Sequence, residues 1–534
     1  MNNLYLTVPL KFNAPQGIHQ PDDADLFVRS RTSLAFHELF VMQLRMLLRT
    51  PQSVQGSKHL QSNDEDIQNA VIESLDFGLT RDQAKALRTI NALLCCDIPT
   101  SSLLQGDVGC GKTIVAILAA FKMIGIKKQV AIMAPTEILA EQHMRSIDSV
   151  IQASHASRKD MAALPRLALL TGSTKAAERK EILSNISSGK IDIIIGTHAL
   201  ISEQVNFSSL GLVVVDEQHK FGVEQRARLL SKSVPSPHVL HMSATPIPRS
   251  LALVLYGEME LIAIREMPPG RIPVVTSVLS ESSRTGSEIG AEIRQEVSSG
   301  GKVFVVCPLI EKKQVKESAL ISEEEEEVRT VVEEKQRLSA EISADTIGIL
   351  HGRMTSDEKD SIVKQFLTGS ISVLVCTTVI EVGVNVPEAS LMIVEHAERF
   401  GLAQLHQLRG RVGRGCRPSK CLLITNSNPS NLNRLRIMEE TSDGFEVAEA
   451  DLRNRGSGDL VGKAQSGHSN LSNGNHIWEL PRDSQTVLAA RTAAEYFLHS
   501  YGYNVDKWPA FLQEFLNDPS VVDLDVHELP KNFM

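Results

Sequence analysis

Short apolar runs recur between residues 101 and 243, and each run ends in small, polar or charged residues. The runs are "SSLLQG", "QVAIMAPT", "LALLTGS", "IDIIIGTHA", "LVVVDE" and "HVLHMSATP". Unbroken apolar runs of strand length are typical of strands buried on both faces, as in parallel sheets. Helical stretches lie between the runs, and this alternation predicts a parallel sheet covered by helices. The chain is therefore expected to be an α/β protein.

A second alternating series follows the proline-containing stretch "EMPPGRIPV" at 266–274, with "KVFVVCPLI", "IGILHG", "ISVLVCTT", "LMIVEHA" and "KCLLITN" as its predicted strands. The chain has 534 residues, more than one core usually holds, since domains average about 150 residues. We expect an N-terminal helical segment and linker at 1–60, two tandem parallel-sheet domains at 61–268 and 269–428, and a small helical tail at 429–534.

Charge and composition narrow the class of partner. Part of the net charge of −9 lies in "SEEEEEVRTVVEEKQ" at 322–336, which predicts a solvated helix or insertion and does not set the field over a distant cleft. Aromatic residues make up 4%, which disfavours binding of single strands by base stacking. No apolar run reaches the ~20 residues of a membrane helix, and the seven scattered cysteines predict a reducing compartment. We expect no membrane partner, whereas a protein that contacts a nucleic-acid backbone is compatible with this composition.

The string "LLQGDVGCGKTIVAILAA" places a glycine-rich turn between a predicted strand and a predicted helix. Glycines let backbone amides turn toward a polyphosphate, and the start of the helix adds partial positive charge. Lys112 can then reach the β and γ phosphates, and the Thr113 hydroxyl can ligate Mg²⁺. The alternative is a plain glycine-rich turn, which the Lys-Thr pair after a strand disfavours. The predicted nucleotide-binding residues, with ATP and Mg²⁺ as cofactors, are Gly106, Asp107, Val108, Gly109, Cys110, Gly111, Lys112 and Thr113.

Two adjacent carboxylates, Asp216 and Glu217, follow the apolar run "LVVV". A phosphate loop needs a second strand end to hold the metal, and Asp216 suits that role. Glu217 can then orient and deprotonate the attacking water. An acidic N-cap pair on the next helix is the alternative. The phosphate loop upstream favours the catalytic interpretation.

Arginines alternate with glycines in "HQLRGRVGRGCRP". Guanidinium groups from a neighbouring domain stabilise the negative charge that develops on a transferred phosphoryl group. We therefore assign Arg411 and Arg414 to ATP, and leave Arg417 and Lys420 as surface candidates. A basic nucleic-acid patch is the alternative for the cluster. The predicted catalytic residues are Lys112, Glu217, Arg411 and Arg414.

Several of these strings also resemble a known family. "DEQH", "SATP", "APTE", "GTHA" and "QLRGRVGRG" resemble the two-domain motors of superfamily 2 helicases and translocases. The longer strings "DEQHKFGVEQR", "SATPIPRSLA", "AERFGLAQLHQLRGRVGRG" and "TSDGFEVAEADLRNRGSGDLVGKAQSG" are similar to the RecG-type DNA branch-migrating helicases, over roughly residues 25–500. The resemblance implies two RecA-like domains and an ATP-dependent translocase on double-stranded DNA. It further implies remodelling of stalled replication forks and Holliday junctions in recombination and repair.

The resemblance also implies roles for single residues. Gln83 resembles the glutamine that contacts adenine, although a lone glutamine is normally a solvated helix residue. The residues that would couple hydrolysis to domain movement are His219, Ser243, Thr245 and Gln407, of which the Ser-Ala-Thr string could equally be a turn. The residues that would contact the DNA backbone are Thr136, Thr171, Gly172, Thr197 and His198. The family's translocation hairpin and loop would contribute Arg434 and Gln465, for which ordinary surface polarity is the alternative.

The sequence departs from the family's pattern in three places. RecG proteins carry an N-terminal wedge domain that splits a fork, and no room for it precedes residue 27. Asn385 in "EVGVNVP" stands where many helicases have aspartate, so a ribose or coupling contact there loses charge. The acidic "EEEEE" string is longer than in bacterial relatives and hints at a plastid or mitochondrial copy. A bacterial protein would act in the cytoplasmic nucleoid.

Three alternatives to this function stay open from the sequence. A truncated isoform would bind DNA or a protein partner, with weak or uncoupled ATPase activity. A transcription-repair coupling translocase shares "TPIPR" and a similar tail, but "DEQHKFG" and "TSDGF" favour the RecG type. An RNA helicase of the same superfamily would leave the tail string unexplained. The sequence identifies no protein partner.

Overall fold

The computed structural model describes most residues between 23 and 508. The described residues are 23–49, 64–157, 164–217, 221, 228–229, 232–233, 235–257, 259–280, 286–308, 323–340, 342–377, 386–415, 417–426, 428–455, 478, 480 and 482–508. Three positions singled out from the sequence, His219, Asn385 and Gln465, lie outside the described residues. Their predicted roles stay predictions.

A seven-stranded parallel sheet forms the first domain. Its strands are β1 (Ser101–Gly106), β2 (Gln129–Met133), β3 (Leu167–Leu170), β4 (Ile193–Gly196), β5 (Leu210–Val215), β6 (His238–Ser243) and β7 (Glu260–Ile264). They lie in the order β3-β4-β2-β5-β6-β1-β7. Alternate residues of β5 enter two different cores, Leu212 and Val214 on one face and Val213 and Val215 on the other. This two-sided burial is the reason that the strand reads as an unbroken apolar run.

A second parallel sheet, of six strands, forms the second domain. Its strands are β8 (Val275–Ser280), β9 (Lys302–Val306), β10 (Ile347–Leu350), β11 (Val373–Cys376), β12 (Ala389–Val394) and β13 (Lys420–Thr425). They lie in the order β10-β11-β9-β12-β13-β8. In the sequence, the stretch at 266–274 separates the last strand of the first sheet from the first strand of the second. The prediction of an α/β fold with two tandem parallel-sheet domains is confirmed, and the exact domain boundaries stay a prediction.

Helices cover both sheets and form the two ends of the described chain. The α-helices are α1 (Ala24–Arg49), α2 (Asp64–Ser74), α3 (Arg81–Leu94), α4 (Lys112–Gly125), α5 (Glu137–Ser157), α6 (Ala176–Ser187), α7 (Arg249–Leu255), α8 (Gly286–Ser298), α9 (Glu323–Ser339), α10 (Ser356–Thr368), α11 (Leu402–Arg409), α12 (Pro429–Glu440), α13 (Gly444–Arg455) and α14 (Ser484–Tyr501). The acidic string of the sequence falls in α9, so it forms a helix. Among the described helices, none combines the length and the apolar content needed to span a bilayer.

The first and last long helices, α1 and α14, pack on each other and on α7 of the first domain. Their shared core contains Leu39 and Met42 of α1, Leu253 of α7 and Val487 of α14. A two-pronged ion pair from Arg31 to Asp483, with N–O distances of 3.0 and 2.8 Å, fixes one end of the pair. Helices α1 and α14 are therefore one structural unit, which is built onto the first domain. The start of the predicted tail lies elsewhere, because Leu435 and Met438 of α12 and Val447 of α13 pack into the core of the second domain.

Candidate functional site

The phosphate loop connects β1 to α4 at the edge of the first sheet. Gly109 and Gly111 have φ values of +82° and +85°, which residues with a Cβ rarely adopt, so the turn requires glycine at both positions. The buried Lys112 ammonium donates to the carbonyls of Gly106 at 2.7 Å and Asp107 at 2.8 Å. Lys112 is therefore not a solvated lysine, and its role in nucleotide binding stays a prediction. The cation is held inside the loop, where a polyphosphate would have to lie.

Gln83 is attached to the same loop from α3. Gln83 forms a capping box with Thr80. Its side-chain Oε1 accepts from the Thr80 backbone amide, and its backbone amide donates to the Thr80 hydroxyl. Its Nε2 donates to the carbonyl of Cys110 at 2.9 Å. The side chain is 2% exposed, so Gln83 is not a solvated helix residue. Its contact with adenine stays a prediction.

Asp216 and Glu217 leave the end of β5 with different protonation tendencies. Burial raises the pKa of Asp216, but a 2.8 Å hydrogen bond from His143 Nε2 and the positive charge of Lys112 outweigh it and lower the pKa below its usual value. Burial and the neighbouring Asp216 carboxylate raise the pKa of Glu217. Paired carboxyl groups with opposite shifts are suited to divided roles, one permanently ionised and one able to take a proton.

The backbone at Glu217 is strained as well. Its φ of +48° lies in the left-handed region, which costs a non-glycine residue on the order of 1–2 kcal/mol. The Ala244 amide donates to the Glu217 carboxylate, and Ala244 lies between Ser243 and Thr245 at the end of β6. The Ser243 and Thr245 hydroxyls hydrogen-bond each other at 2.8 Å. The "SAT" string thus bends the chain at the end of β6 and holds the Glu217 carboxylate, and the coupling role of Ser243 and Thr245 stays a prediction.

The second domain contributes arginines to the same place. Arg411 is 6% exposed, and its positive charge lowers the pKa of Glu217, so it lies near that carboxylate. Arg414 is half-buried. This burial, and then the nearby Arg411 and Arg271 cations, lower the pKa of Arg414 to about 9, so its side chain is still charged at neutral pH. Because Arg411 is buried against the first domain, an exposed nucleic-acid patch does not describe it. Arg417, in contrast, is exposed, and it donates to the Ser299 carbonyl at 2.7 Å.

Three contacts of this site were not predicted from the sequence. His143 on α5 holds Asp216, Arg271 from the stretch between the sheets donates to the Val108 carbonyl, and the Asp107 side chain turns away from the loop toward α11. A lone histidine in "EQHMR" and an arginine in "PPGRIP" carry no spacing that marks them. The sequence signal for these three residues was weak: Asp107 lies within the glycine-rich string, His143 lies outside every string that was singled out, and Arg271 lies in the proline-containing stretch at 266–274.

The five residues assigned to DNA-backbone contacts follow β2, β3 and β4, at one edge of the first sheet. Gly172 and His198 are exposed and Thr136 is partly exposed. Thr171 and Thr197 are 4% and 2% exposed, so their hydroxyls do not present themselves to a DNA backbone in this arrangement. Three of the five positions therefore offer surface for such contacts, and all five roles stay predictions.

The residues assigned to coupling and translocation in the second domain lie on α11 and α12. Gln407 on α11 is 7% exposed. Arg434 on α12 donates to the carbonyl of Glu398 at 2.8 Å and to that of Phe400 at 3.1 Å. These bonds attach α12 to the segment that leads into α11, so Arg434 is more than ordinary surface polarity. Its role in translocation stays a prediction.

Comparison with known proteins gives matches along the whole described chain. Three family models match: "DEAD/DEAH box helicase" at 80–254, "Helicase conserved C-terminal domain" at 289–416, and "ATP-dependent DNA helicase RecG, domain 3, C-terminal" at 441–507. The chain is similar to "ATP-dependent DNA helicase RecG" of Synechocystis sp., with 43% identity over 90% of this chain and 55% of that protein. It is also similar to the RecG of Bacillus subtilis, with 39% identity over 97% of this chain and 72% of that protein.

Two further matches extend the comparison. "ATP-dependent DNA helicase homolog RECG1, chloroplastic/mitochondrial" of Arabidopsis thaliana is 42% identical over 86% of this chain and 50% of that protein. A solved structure of RecG bound to a three-way DNA junction is 37% identical, with a TM-score of 0.67, and the match covers 89% of this chain and 59% of that one. The chain thus spans about half the length of the Synechocystis and Arabidopsis relatives, at 55% and 50%.

Proposed function

The chain belongs to the RecG family of ATP-dependent DNA helicases, and we propose that it is a translocase on double-stranded DNA that uses ATP and Mg²⁺ to remodel branched DNA, such as stalled forks and Holliday junctions. One observation carries the proposal: the buried Arg411 of the second domain lies close enough to Glu217 of the first to lower its pKa, beside a phosphate loop. A site divided between two domains links hydrolysis to their relative movement.

Nucleotide binding is assigned to the first domain. The loop amides from Gly106 to Thr113 would cradle the phosphates, Lys112 would exchange its carbonyl partners for phosphate oxygens, and Gln83 would contact adenine. Mg²⁺ would be held by the Thr113 hydroxyl and by Asp216. The residues fit this ion, since the lowered pKa of Asp216 keeps a hard carboxylate ligand ionised. When bound, Mg²⁺ neutralises charge on the β and γ phosphates.

Hydrolysis is assigned to the groups that surround the γ phosphate. Glu217 would orient and deprotonate the attacking water, and its raised pKa makes it a stronger base than an ordinary glutamate. Arg411 and Arg414 would stabilise the negative charge that develops on the transferred phosphoryl group. Because these arginines belong to the other domain, the site is complete only when the domains are closed.

DNA movement is assigned to the edge of the first sheet and to the tail. The residues that would contact the DNA backbone are Thr136, Thr171, Gly172, Thr197 and His198, of which Gly172 and His198 are exposed and Thr136 is partly exposed. The coupling residues would be His219, Ser243, Thr245 and Gln407, and the translocation residues Arg434 and Gln465. Closure on ATP and opening after hydrolysis would then step the domains along the duplex.

The test is the steady-state ATPase rate of the purified chain without DNA, with linear duplex, with single strands and with a four-way junction. Lys112→Ala is the inactive variant, and Lys85→Ala, an exposed lysine on α3, is the matched control. We expect turnover that depends on Lys112 and is stimulated most strongly by the junction. Equal stimulation by any duplex would reduce the proposal to a translocase without junction preference. Turnover that is equal in Lys112→Ala would refute it and favour a protein that only binds DNA or a partner.

The compartment follows from the substrate. A protein of this function acts where DNA is kept, in the nucleoid of a bacterium or in a plastid or mitochondrion of a eukaryote, and the printed name of the Arabidopsis relative supports the second option for a eukaryotic source. Fluorescence of the tagged chain against a DNA stain distinguishes this from a diffuse distribution, which would contradict it.

A further inference from the structure

A buried hydrogen-bond network joins the phosphate loop to the second domain and to the tail. Asp107 Oδ1 accepts from Nε2 of His406 on α11 at 2.6 Å, and Asp107 Oδ2 accepts from the backbone amide of Gly444, the first residue of α13, at 3.0 Å. Asp107 and His406 are 7% and 5% exposed. One carboxylate therefore connects three separate parts of the chain, away from water.

Arg409 determines which nitrogen of His406 carries the proton. Its Nη2 lies 2.7 Å from His406 Nδ1, and because a guanidinium only donates, Nδ1 must accept. Nε2 then carries the hydrogen and donates to Asp107. Nη1 of Arg409 donates to the carbonyls of Met438 at 2.8 Å and Thr441 at 2.9 Å, so the network extends into the turn between α12 and α13.

The surroundings of Asp107 keep its carboxylate ionised, which strengthens the hydrogen bonds that it accepts. Burial raises the pKa of Asp107, but the His406 hydrogen bond, the Gly444 amide and the Lys112 charge outweigh it and lower the pKa below its usual value. A Cβ at residue 444 would overlap both the Asp107 carboxylate and the His406 ring. Only glycine can therefore bring its amide this close to the pair.

The backbone carbonyl of Asp107 also contacts Lys112, the lysine assigned to the nucleotide phosphates. It accepts from the Lys112 ammonium at 2.8 Å, and a bound polyphosphate would compete for that ammonium. A change at this peptide would alter the position of the Asp107 side chain, whose two oxygens accept from His406 and Gly444. Nucleotide at the loop and the position of α13 are thus joined through one residue.

We propose that Asp107, His406 and Gly444 form a latch, the Asp107 latch, which passes the state of the phosphate loop to the tail helices α12 and α13. The three are positioning residues and take no part in phosphoryl transfer. The inference deepens the proposed function and rests on it for its purpose, since the latch would link nucleotide binding to the part of the chain that moves DNA.

Two substitutions at His406 separate the latch from simple packing. His406→Leu removes the hydrogen bond to Asp107. His406→Gln can keep both bonds, because its amide nitrogen donates to Asp107 and its carbonyl accepts from Arg409. The measurement is hydrogen exchange of backbone amides at 441–452, with and without a non-hydrolysable ATP analogue and Mg²⁺, after the binding of that analogue has been checked separately.

We expect the analogue to slow exchange at 441–452 about tenfold in the unmodified chain and in His406→Gln, and to have no effect there in His406→Leu, which still binds the analogue. The same response in all three chains would overturn the latch, and so would loss of analogue binding in His406→Leu, since His406 would then belong to the nucleotide site. If His406→Leu does not fold, Gly444→Ala replaces it: its Cβ would overlap the Asp107 carboxylate and displace the amide of residue 444, so exchange at 441–452 should lose its response.

A second arm measures function. Gly444→Ala should lower the stimulation of ATPase by duplex DNA about tenfold through kcat, with KM for ATP nearly unchanged. Gly78→Ala is the matched control, since a Cβ there meets no atom within 4 Å. Full stimulation in Gly444→Ala would contradict the latch. If the unmodified chain shows no stimulation by DNA, the proposed function fails, whereas the exchange measurement still decides whether the latch exists.

Discussion

Arg411→Ala removes the guanidinium that the second domain places beside Glu217, and we expect ATP turnover to be largely lost. Arg411 is 6% exposed, and its charge lowers a Glu217 pKa that burial and the Asp216 carboxylate raise. An arginine supplied to a phosphoryl-transfer site from a neighbouring domain contributes about 10³-fold to kcat, or roughly 4 kcal/mol. The expected loss is therefore of that order, with a smaller change in KM.

The same substitution predicts a shift of the pH profile, and its sign follows from the charges. Glu217 activates water only when it is deprotonated, so the rate falls as pH drops through its pKa. Removal of a neighbouring cation raises that pKa further. The acid limb of kcat/KM should therefore move to higher pH in Arg411→Ala. It should stay near its original position in Arg411→Lys, which keeps the charge but loses the planar fork, and therefore still loses rate.

The assay is steady-state ATP hydrolysis at saturating duplex DNA, from about pH 5.5 to 8.5. Arg417→Ala is the control from the same cluster, because Arg417 is exposed and its Nη1 donates to a backbone carbonyl 2.7 Å away. It should change turnover less than about threefold. If Arg411→Ala retains turnover within about tenfold of the unmodified chain, or keeps its acid limb in place, the assignment of Arg411 to the hydrolytic site is wrong.

Two further substitutions test the surroundings of the site. His143→Leu removes the 2.8 Å hydrogen bond to Asp216, so the pKa of Asp216 should rise. The Mg²⁺ concentration for half-maximal ATPase activity should then increase about ten- to a hundredfold. An unchanged Mg²⁺ titration would contradict the metal role of Asp216. Arg31→Ala leaves the buried Asp483 without its two-pronged partner and should lower the free energy of unfolding in urea by roughly 3 kcal/mol. Arg145→Ala, in an exposed pair, should change it by about 0.5 kcal/mol or less. Equal effects would show that α1 is not held by the Arg31–Asp483 pair.

The fold was predictable from the sequence because it depends on local patterns. Six strands of the first sheet are the short apolar runs of the sequence, and β5 is buried on both faces, so its residues carry no polar interruption. The seventh, β7, was not predicted, because Glu260 and Ala263 are exposed and its apolar run is short. Glycines with positive φ mark the phosphate loop, and the two carboxylates follow directly from the strand. Such signals are read from neighbouring residues and do not need the arrangement of the domains.

The contacts of the site were less predictable because they join distant positions. Asp107 and His406 are 299 residues apart, and Asp107 and Gly444 are 337 apart, so no local spacing connects them. The burial of Thr171 and Thr197 has the same origin. A strand end predicts that a residue lies at the edge of the sheet, but only the packing of the following loop decides whether its hydroxyl faces solvent.

An acidic chain and a polyanionic substrate are compatible here because the charges are unevenly placed. The net charge is −9, yet among the described residues the predicted hydrolytic site and its loop set four cations, Lys112, Arg271, Arg411 and Arg414, against three carboxyl groups, Asp107, Asp216 and Glu217, which leaves 4 − 3 = +1. The raised pKa of Glu217 weakens the acidic side further. Two of the cations, Arg411 and Arg414, come from the second domain, so we expect the site to attract a polyphosphate most strongly when the domains are closed. We therefore expect nucleotide binding and closure to be electrostatically coupled, so that each favours the other.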